Sequence, residues 1–262
     1  MAGRFTTAVR RVAVRSASLA PRLLSGARAH ASLYQIRRVA VRSASLAPRL
    51  LRRASAHASL YHWTREHPAP VVYRLTGDLN AAIYAGLGRG RIDYLEFGVA
   101  HGSSLRKWLE LSRHPDSRFI GFDSFEGLPE DWDTGAGVKP AGTFGRAGQP
   151  PPIDDPRVQL IKGWFQDTVP NFLETFKPRP PVVVHLDADL YSSTLYVLTL
   201  LDRVLRGGAV LIFDEFHVAD HEFRAFADYT SAYRRNYSVL GASRPAGFLW
   251  NTRVAIRIEP TA

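Results

Sequence analysis

Four acid-bearing turns stand out in the 262-residue chain, each placed after a short apolar run that reads as a strand. The first is Glu96-Phe97-Gly98-Val99-Ala100-His101-Gly102-Ser103, in which Gly98 and Gly102 permit a tight turn and a close approach of backbone to a ligand. The helix expected after it offers free N–H groups at its start. The second is Asp123, directly after Arg118–Phe122, where a carboxylate can accept hydrogen bonds from both hydroxyls of a ribose. The third is Asp187-Ala188-Asp189 and the fourth Asp214-Glu215, each closing a run of β-branched and apolar residues. Carboxylates converging on one sheet edge repel one another unless a cation or a proton is shared. An oxygen-only donor set of this kind suits Mg²⁺, with water and substrate oxygens completing the shell.

The elements that must hold these turns follow from hydrophobic pattern. Ile92–Phe97, Arg118–Phe122, Val158–Ile161, Pro181–Leu186 and Ala209–Phe213 read as strands, and the last two are apolar enough to be covered on both faces. Helices are expected over Ser103–Ser112, around Val169–Phe176, over Tyr191–Leu205 and near Ala219–Arg234. This alternation predicts an α/β fold, a Rossmann-like, doubly wound and mostly parallel sheet. Segments around Tyr237–Leu240 and Gly247–Ile258 are expected to close it as an antiparallel C-terminal edge. Residues 133–156 are rich in Gly and Pro and have no period. They join the Arg118–Phe122 strand to the next one, so they either cover a ligand at the carboxyl ends of the strands or form a loop without contact there.

Five segments taken together resemble the TylF/MycF-type macrocin O-methyltransferases, a family of class I S-adenosylmethionine (SAM)-dependent methyltransferases. They are EFGVAHGSS (Glu96–Ser104), GFDSFEGLP (Gly121–Pro129), KGWFQDTVP (Lys162–Pro170), HLDADLYSST (His185–Thr194) and GGAVLIFDE (Gly207–Glu215), in the family's order. The resemblance runs over roughly 94–215 and implies the class I methyltransferase fold with metal-assisted O-methylation. It implies that Glu96, Gly98, Gly102 and Ser103 surround the methionine part of SAM, and that Asp123, with Ser124 beside it, meets the ribose. Gly163, Trp164 and Phe165 fall where the adenine is held. Asp187, Asp214 and Glu215 match the metal-binding acids, although the family more often has two aspartates at the last pair. Asp187, also at the cofactor, would be the general base that takes the acceptor proton. His217 and His221 are rival bases, with a surface or supporting role as the alternative. Tyr191, Ser192 and Ser193 would orient a polyhydroxylated acceptor unless the serines only cap the helix. Trp132 and Trp164 are either core or ligand-stacking residues.

Composition narrows the remaining choices. The chain has no cysteine, which removes disulfides, thiolate metal sites and cysteine nucleophiles. No apolar stretch is long enough to span a bilayer. The formal charge of +10 belongs to one end, because residues 1–65 hold 13 arginines and no acid. The remainder, with 21 basic and 24 acidic residues, is mildly acidic and poorly suited to nucleic acid except through that tail. Residues 10–34 recur at 37–61, a tandem duplication offset by 27 residues. Residues 1–65 are therefore expected to be a basic extension and 66–262 the methyltransferase domain. An Arg-, Ser- and Ala-rich, acid-free start also has the composition of a mitochondrial transit peptide, set against a cytoplasmic protein with a passive extension. The expected partner is a small-molecule hydroxyl acceptor, sugar-like or natural-product-like, with a homo-oligomer by analogy. The rival readings are an RNA methyltransferase fed by the tail, a glycosyltransferase that uses Asp187-Ala188-Asp189 as its D-x-D pair, and a tail-tethered inactive domain. A NAD enzyme would need the stricter glycine fingerprint, which is missing.

Overall fold

Strand β2 (Asp93–Phe97) is buried along its whole length, and strands β3 (Arg118–Asp123) and β7 (Val182–Leu186) pair with it in parallel on either side. These strands occupy the centre of an eight-stranded sheet in the computed structural model, which describes residues 51–260. From one edge the strands run β1 (Val72–Tyr73), β9 (Tyr237–Ser243), β10 (Arg253–Ile258), β8 (Val210–Phe213), β7, β2, β3 and β6 (Val158–Lys162). All neighbouring pairs are parallel except those of β10, which is antiparallel to both β8 and β9. Chain order reverses between β2 and β7. In an open α/β sheet that reversal opens a crevice at the strands' carboxyl ends.

The two sheet faces carry separate cores because successive side chains alternate across each strand. Leu95, Phe97, Val184, Leu186, Leu211 and Phe213 face one side, where they meet Val197, Leu198 and Leu201. Tyr94, Val183, Val210 and Ile212 face the other and pack with Leu79, Ile83, Leu105 and Trp108. The helices behind these contacts are α2 (Thr76–Gly86) and α3 (Ser103–Leu111) on the second face, and α4 (Phe165–Thr175), α5 (Tyr191–Leu200) and α7 (Arg224–Ala232) on the first. A short α6 (Asp202–Leu205) splits the helix expected over 191–205, and a π-helical turn (Ala219–Phe223) starts the one expected over 219–234.

Four elements have no counterpart in the sequence reading. They are β1, α2, the helix through residues 51–66 (α1), and a hairpin of β4 (Trp132–Asp133) with β5 (Val138–Lys139) inside the Gly/Pro-rich loop. The expected antiparallel C-terminal strands are present as β9 and β10, with the short β1 added in parallel outside β9. The compact unit begins at Ser55, earlier than residue 66. Leu60 of α1 is 3% exposed. Trp63 sits on Phe216 at 5.0 Å between ring centroids and donates its indole N–H to Tyr237 Oη at 2.8 Å. Most of the arginine-rich extension and its duplication lies outside the described residues. No helix among those described is long and apolar enough to cross a membrane.

Removing α1 would strip Leu60 and Trp63 from an aromatic cluster, a loss of about 3 kcal/mol by analogy with large-to-small core changes. A chain beginning at Ser55 is therefore expected to melt with the full-length protein, and one beginning at Glu66 roughly 6–12 °C lower. Calorimetric scans of the three chains decide this, and equal melting of all three would show that α1 adds nothing.

Candidate functional site

The end of β2 and the end of β7 touch. Asp187 donates its N–H to the Phe97 carbonyl at 2.9 Å, and Gly98, at φ +95°, lies against the Asp187 carbonyl. A Cβ at Gly98 would collide with that carbonyl, so this position needs glycine for the close approach as well as for its left-handed backbone. Gly102 is required for a different reason. It caps α3 at φ +72°, and its missing side chain leaves room for Pro151 and Ile153.

Asp123 ties the glycine turn to β3. Its Oδ2 accepts the N–H groups of Val99 and Ala100 at 2.8 and 2.7 Å, and its Oδ1 accepts that of Phe125 at 2.6 Å. Three charge-assisted bonds hold the turn in one shape before any ligand arrives.

A cavity of about 340 Å³ opens where these ends meet. Gly98, Asp123, Ser124, Gly163, Trp164, Phe165, Asp187 and Glu215 all line it, bringing together most of the residues singled out by the sequence. Trp132, Ser193 and Asp189 line it too. Glu96, Gly102, Ser103 and Asp214 do not. Ser103 is exposed at the start of α3. Glu96 is fully buried beneath the turn, accepting from Ser104 Oγ at 2.6 Å and Tyr94 Oη at 2.7 Å.

Asp214 ends a buried polar chain that continues from Glu96. Tyr94 Oη meets His185 Nδ1 at 2.8 Å, and His185 Nε2 lies 3.2 Å from Asp214 Oδ1. Arg253, from β10, bonds to the same oxygen. Tyr94, His185 and Arg253 were not expected to be functional. His185 belongs to the HLDADLY segment, but a histidine inside a buried strand reads as core until the strands beside it are known.

The acids form two groups. Potential ligand atoms of His185, Asp187 and Asp214 lie within 4.8 Å of one another. Asp187, Asp189 and Glu215 share the cavity wall. Behind Glu215 stands Glu222, fully buried on the π-helical turn, with Oε2 accepting the Glu215 N–H at 2.8 Å and Oε1 without a partner. Burial is the main cause that raises Asp187, Asp189 and Glu215 to about 7, with repulsion from neighbouring carboxylates adding for Asp187 and Glu215. Glu222 is pushed well above the carboxylate range for the same reasons. An orphaned buried carboxylate oxygen and acids kept protonated by burial are what a divalent cation relieves, so this donor set fits one.

Of the rival bases, His221 is hydrogen-bonded through Nδ1, whereas His217 Nδ1 has no hydrogen-bond partner. His221 Nδ1 accepts the N–H of Tyr191 at the start of α5, 3.2 Å away, and His217 Nδ1 lies 3.3 Å from Glu215 Oε2. Burial lowers both. Ser192 does not cap its helix but donates to Glu130 at 2.6 Å, and Tyr191 donates to Asp228 at 2.9 Å. The loop over 133–156 does reach the site: Lys139, Thr143 and Phe144 line the cavity.

This fold is shared with solved O-methyltransferases. Two solved structures align at a TM-score of 0.50: the O-methyltransferase NovP (20% identity, 71% of this chain and 78% of that one) and the calicheamicin methyltransferase CalS11 (21% identity, 77% and 91%). At those identities the likeness speaks for the fold. Residues 149–239 match the macrocin-O-methyltransferase (TylF) family model. A curated protein of Streptomyces olivaceus, 8-demethyl-8-(2,3-dimethoxy-alpha-L-rhamnosyl)-tetracenomycin-C 4'-O-methyltransferase, is 31% identical over 170 residues. The match covers 56% of this chain, and the chain spans 59% of that relative's length.

The raised carboxyls make a stability prediction whose sign is set by linkage. In the fold these acids keep protons up to about pH 7, whereas the unfolded chain loses them near pH 4, so they erode stability as pH climbs between those values. Asp187→Asn is therefore expected to melt progressively higher than the parent protein between pH 5 and 8 in EDTA. Added Mg²⁺ should raise the parent's melting temperature more at pH 8 than at pH 5. A mutant-minus-parent difference independent of pH would contradict the assignment.

Proposed function

We propose that this chain is a SAM-dependent O-methyltransferase acting on a hydroxyl of a small molecule, sugar-like or natural-product-like, with assistance from a divalent metal. The observation that carries the reading is the single cavity with the glycine turn and Asp123 at one end and Asp187, Asp189 and Glu215 at the other. The TylF-type match over 149–239 and the O-methylating relative, named for transfer to a rhamnosyl group, support it. The glycosyltransferase and RNA readings draw no support from the same comparisons.

The residues divide the work by charge and shape. Gly98 brings backbone close to the cofactor's amino-acid end, Asp123 holds its ribose, and Trp164 with Gly163 and Phe165 walls the adenine. Ser124 stands beside Asp123 at the same wall. Asp187, with Glu215 and Asp189, would hold the cation, and Asp214 lies next to this set with one oxygen already shared by His185 and Arg253. When bound, the cation would lower the pKa of the acceptor hydroxyl and fix its position. Because the sulfonium is a strong leaving group, alignment of oxygen, methyl carbon and sulfur is the main requirement. SAM, when bound, would supply the methyl group and leave as the neutral thioether, and Asp187 would take the hydroxyl proton.

Calorimetric titration with SAM is expected to give micromolar binding that Asp123→Asn weakens at least ~10-fold, because the amide puts a donor against backbone N–H groups. Asp187→Asn is expected to leave SAM affinity within ~3-fold while lowering kcat by roughly 10²–10⁴. Absence of SAM binding to the parent protein, with and without Mg²⁺, would end the methyltransferase reading.

A further inference from the structure

Among the described residues lining the cavity, Lys139 alone carries a basic side chain. It comes from β5, on the hairpin of the Gly/Pro-rich loop, and so is delivered to the acids by an element that is not part of the main sheet. Its ammonium stands 4.6 Å from the centroid of Trp132 and 4.6 Å from that of Phe144. Trp132 is 2% exposed, so one of the two rings is a fixed wall. Aromatic faces attract a cation by about 1 kcal/mol and position it without neutralising it. In the same cavity are Asp189 and Glu215.

The geometry points to Lys139 as the loop's own cation for Asp189 and Glu215, a positioning residue that competes with a divalent ion for the same two carboxylates. Lys139 and a metal ion then oppose each other, because an arriving ion meets a like charge that already faces the same acids in one cavity. The ring pair gives the ammonium a place to remain. This inference rests on the metal-assisted reading above and adds to it a residue from outside the five resembling segments.

The test is calorimetric titration of Mn²⁺ into the full chain without SAM, for the parent protein, Lys139→Met and Lys139→Arg. Methionine keeps much of the length and removes the charge, and arginine keeps the charge. Lys139→Met is expected to bind Mn²⁺ about 10-fold more tightly than the parent, a difference that narrows as salt is raised, and Lys139→Arg to stay within ~3-fold. Equal affinity of all three proteins would overturn the role of Lys139 and leave the metal site standing. Equal tightening by both variants would overturn it too, since shape rather than charge would then be the cause. No Mn²⁺ binding by any of the three would remove the metal reading and this inference together.

Discussion

Carboxylates are expensive to bury, and this protein collects them at the carboxyl ends of β7 and β8 and on the turn behind. Asp187, Asp189, Glu215 and Glu222 all sit with little solvent, and burial drives each toward its neutral form. The described cations nearby are few: Arg253 is committed to Asp214, and Lys139 reaches in from a loop. Such a site is under strain of charge, and of backbone at Asp189, which stands at φ +59°. It is relieved by protons, by an ion or by a bound polar molecule, and most of the surrounding structure serves to hold the acids in place despite that cost.

The holding is done by three kinds of contact. Backbone pairing fixes the strand ends, with the Asp187 N–H on the Phe97 carbonyl at the point where chain order reverses. Asp123 gathers the glycine turn by its N–H groups, so the ligand-facing loop is shaped in advance. Beneath both runs the buried chain from Ser104 through Glu96, Tyr94 and His185 to Asp214 and Arg253, crossing β2, β7, β8 and β10. A hydrogen-bonded buried network of this kind rigidifies its surroundings, although Arg253 Nε has no partner in it. It physically joins the helix start behind the glycine turn to the acidic strand ends.

The π-helical turn has a specific consequence in this setting. It places Glu222 under Glu215, where one carboxylate oxygen takes the Glu215 N–H and the other has no partner. π-turns are rare and cluster at functional sites. Here the turn adds a fourth buried acid to three that already repel one another. Lys139 adds charge of the opposite sign in the same cavity, on a hairpin whose two strands pair over two residues each.

Much of this was decided by residue pattern alone. The alternating apolar runs determined the parallel sheet, since strands such as Val182–Leu186 have no polar face to expose and must be covered on both sides. The strand-end positions of Asp123, Asp187 and Glu215 placed them at one crevice, because parallel strands present their carboxyl ends on a common edge. Tertiary structure alone decided the rest. Only strand order could show that β10 runs inside the sheet, that Arg253 therefore reaches Asp214, and that Tyr94 and His185 share a face and touch across neighbouring strands. Glu96, Gly102 and Ser103 resemble cofactor residues by motif, yet they stand behind or beside the cavity, because which side of a turn faces a ligand depends on what packs against it. Lys139 lay in a stretch without period, where local sequence carries no register. Its position comes from long-range packing of a hairpin on aromatic rings that no short window of sequence can connect.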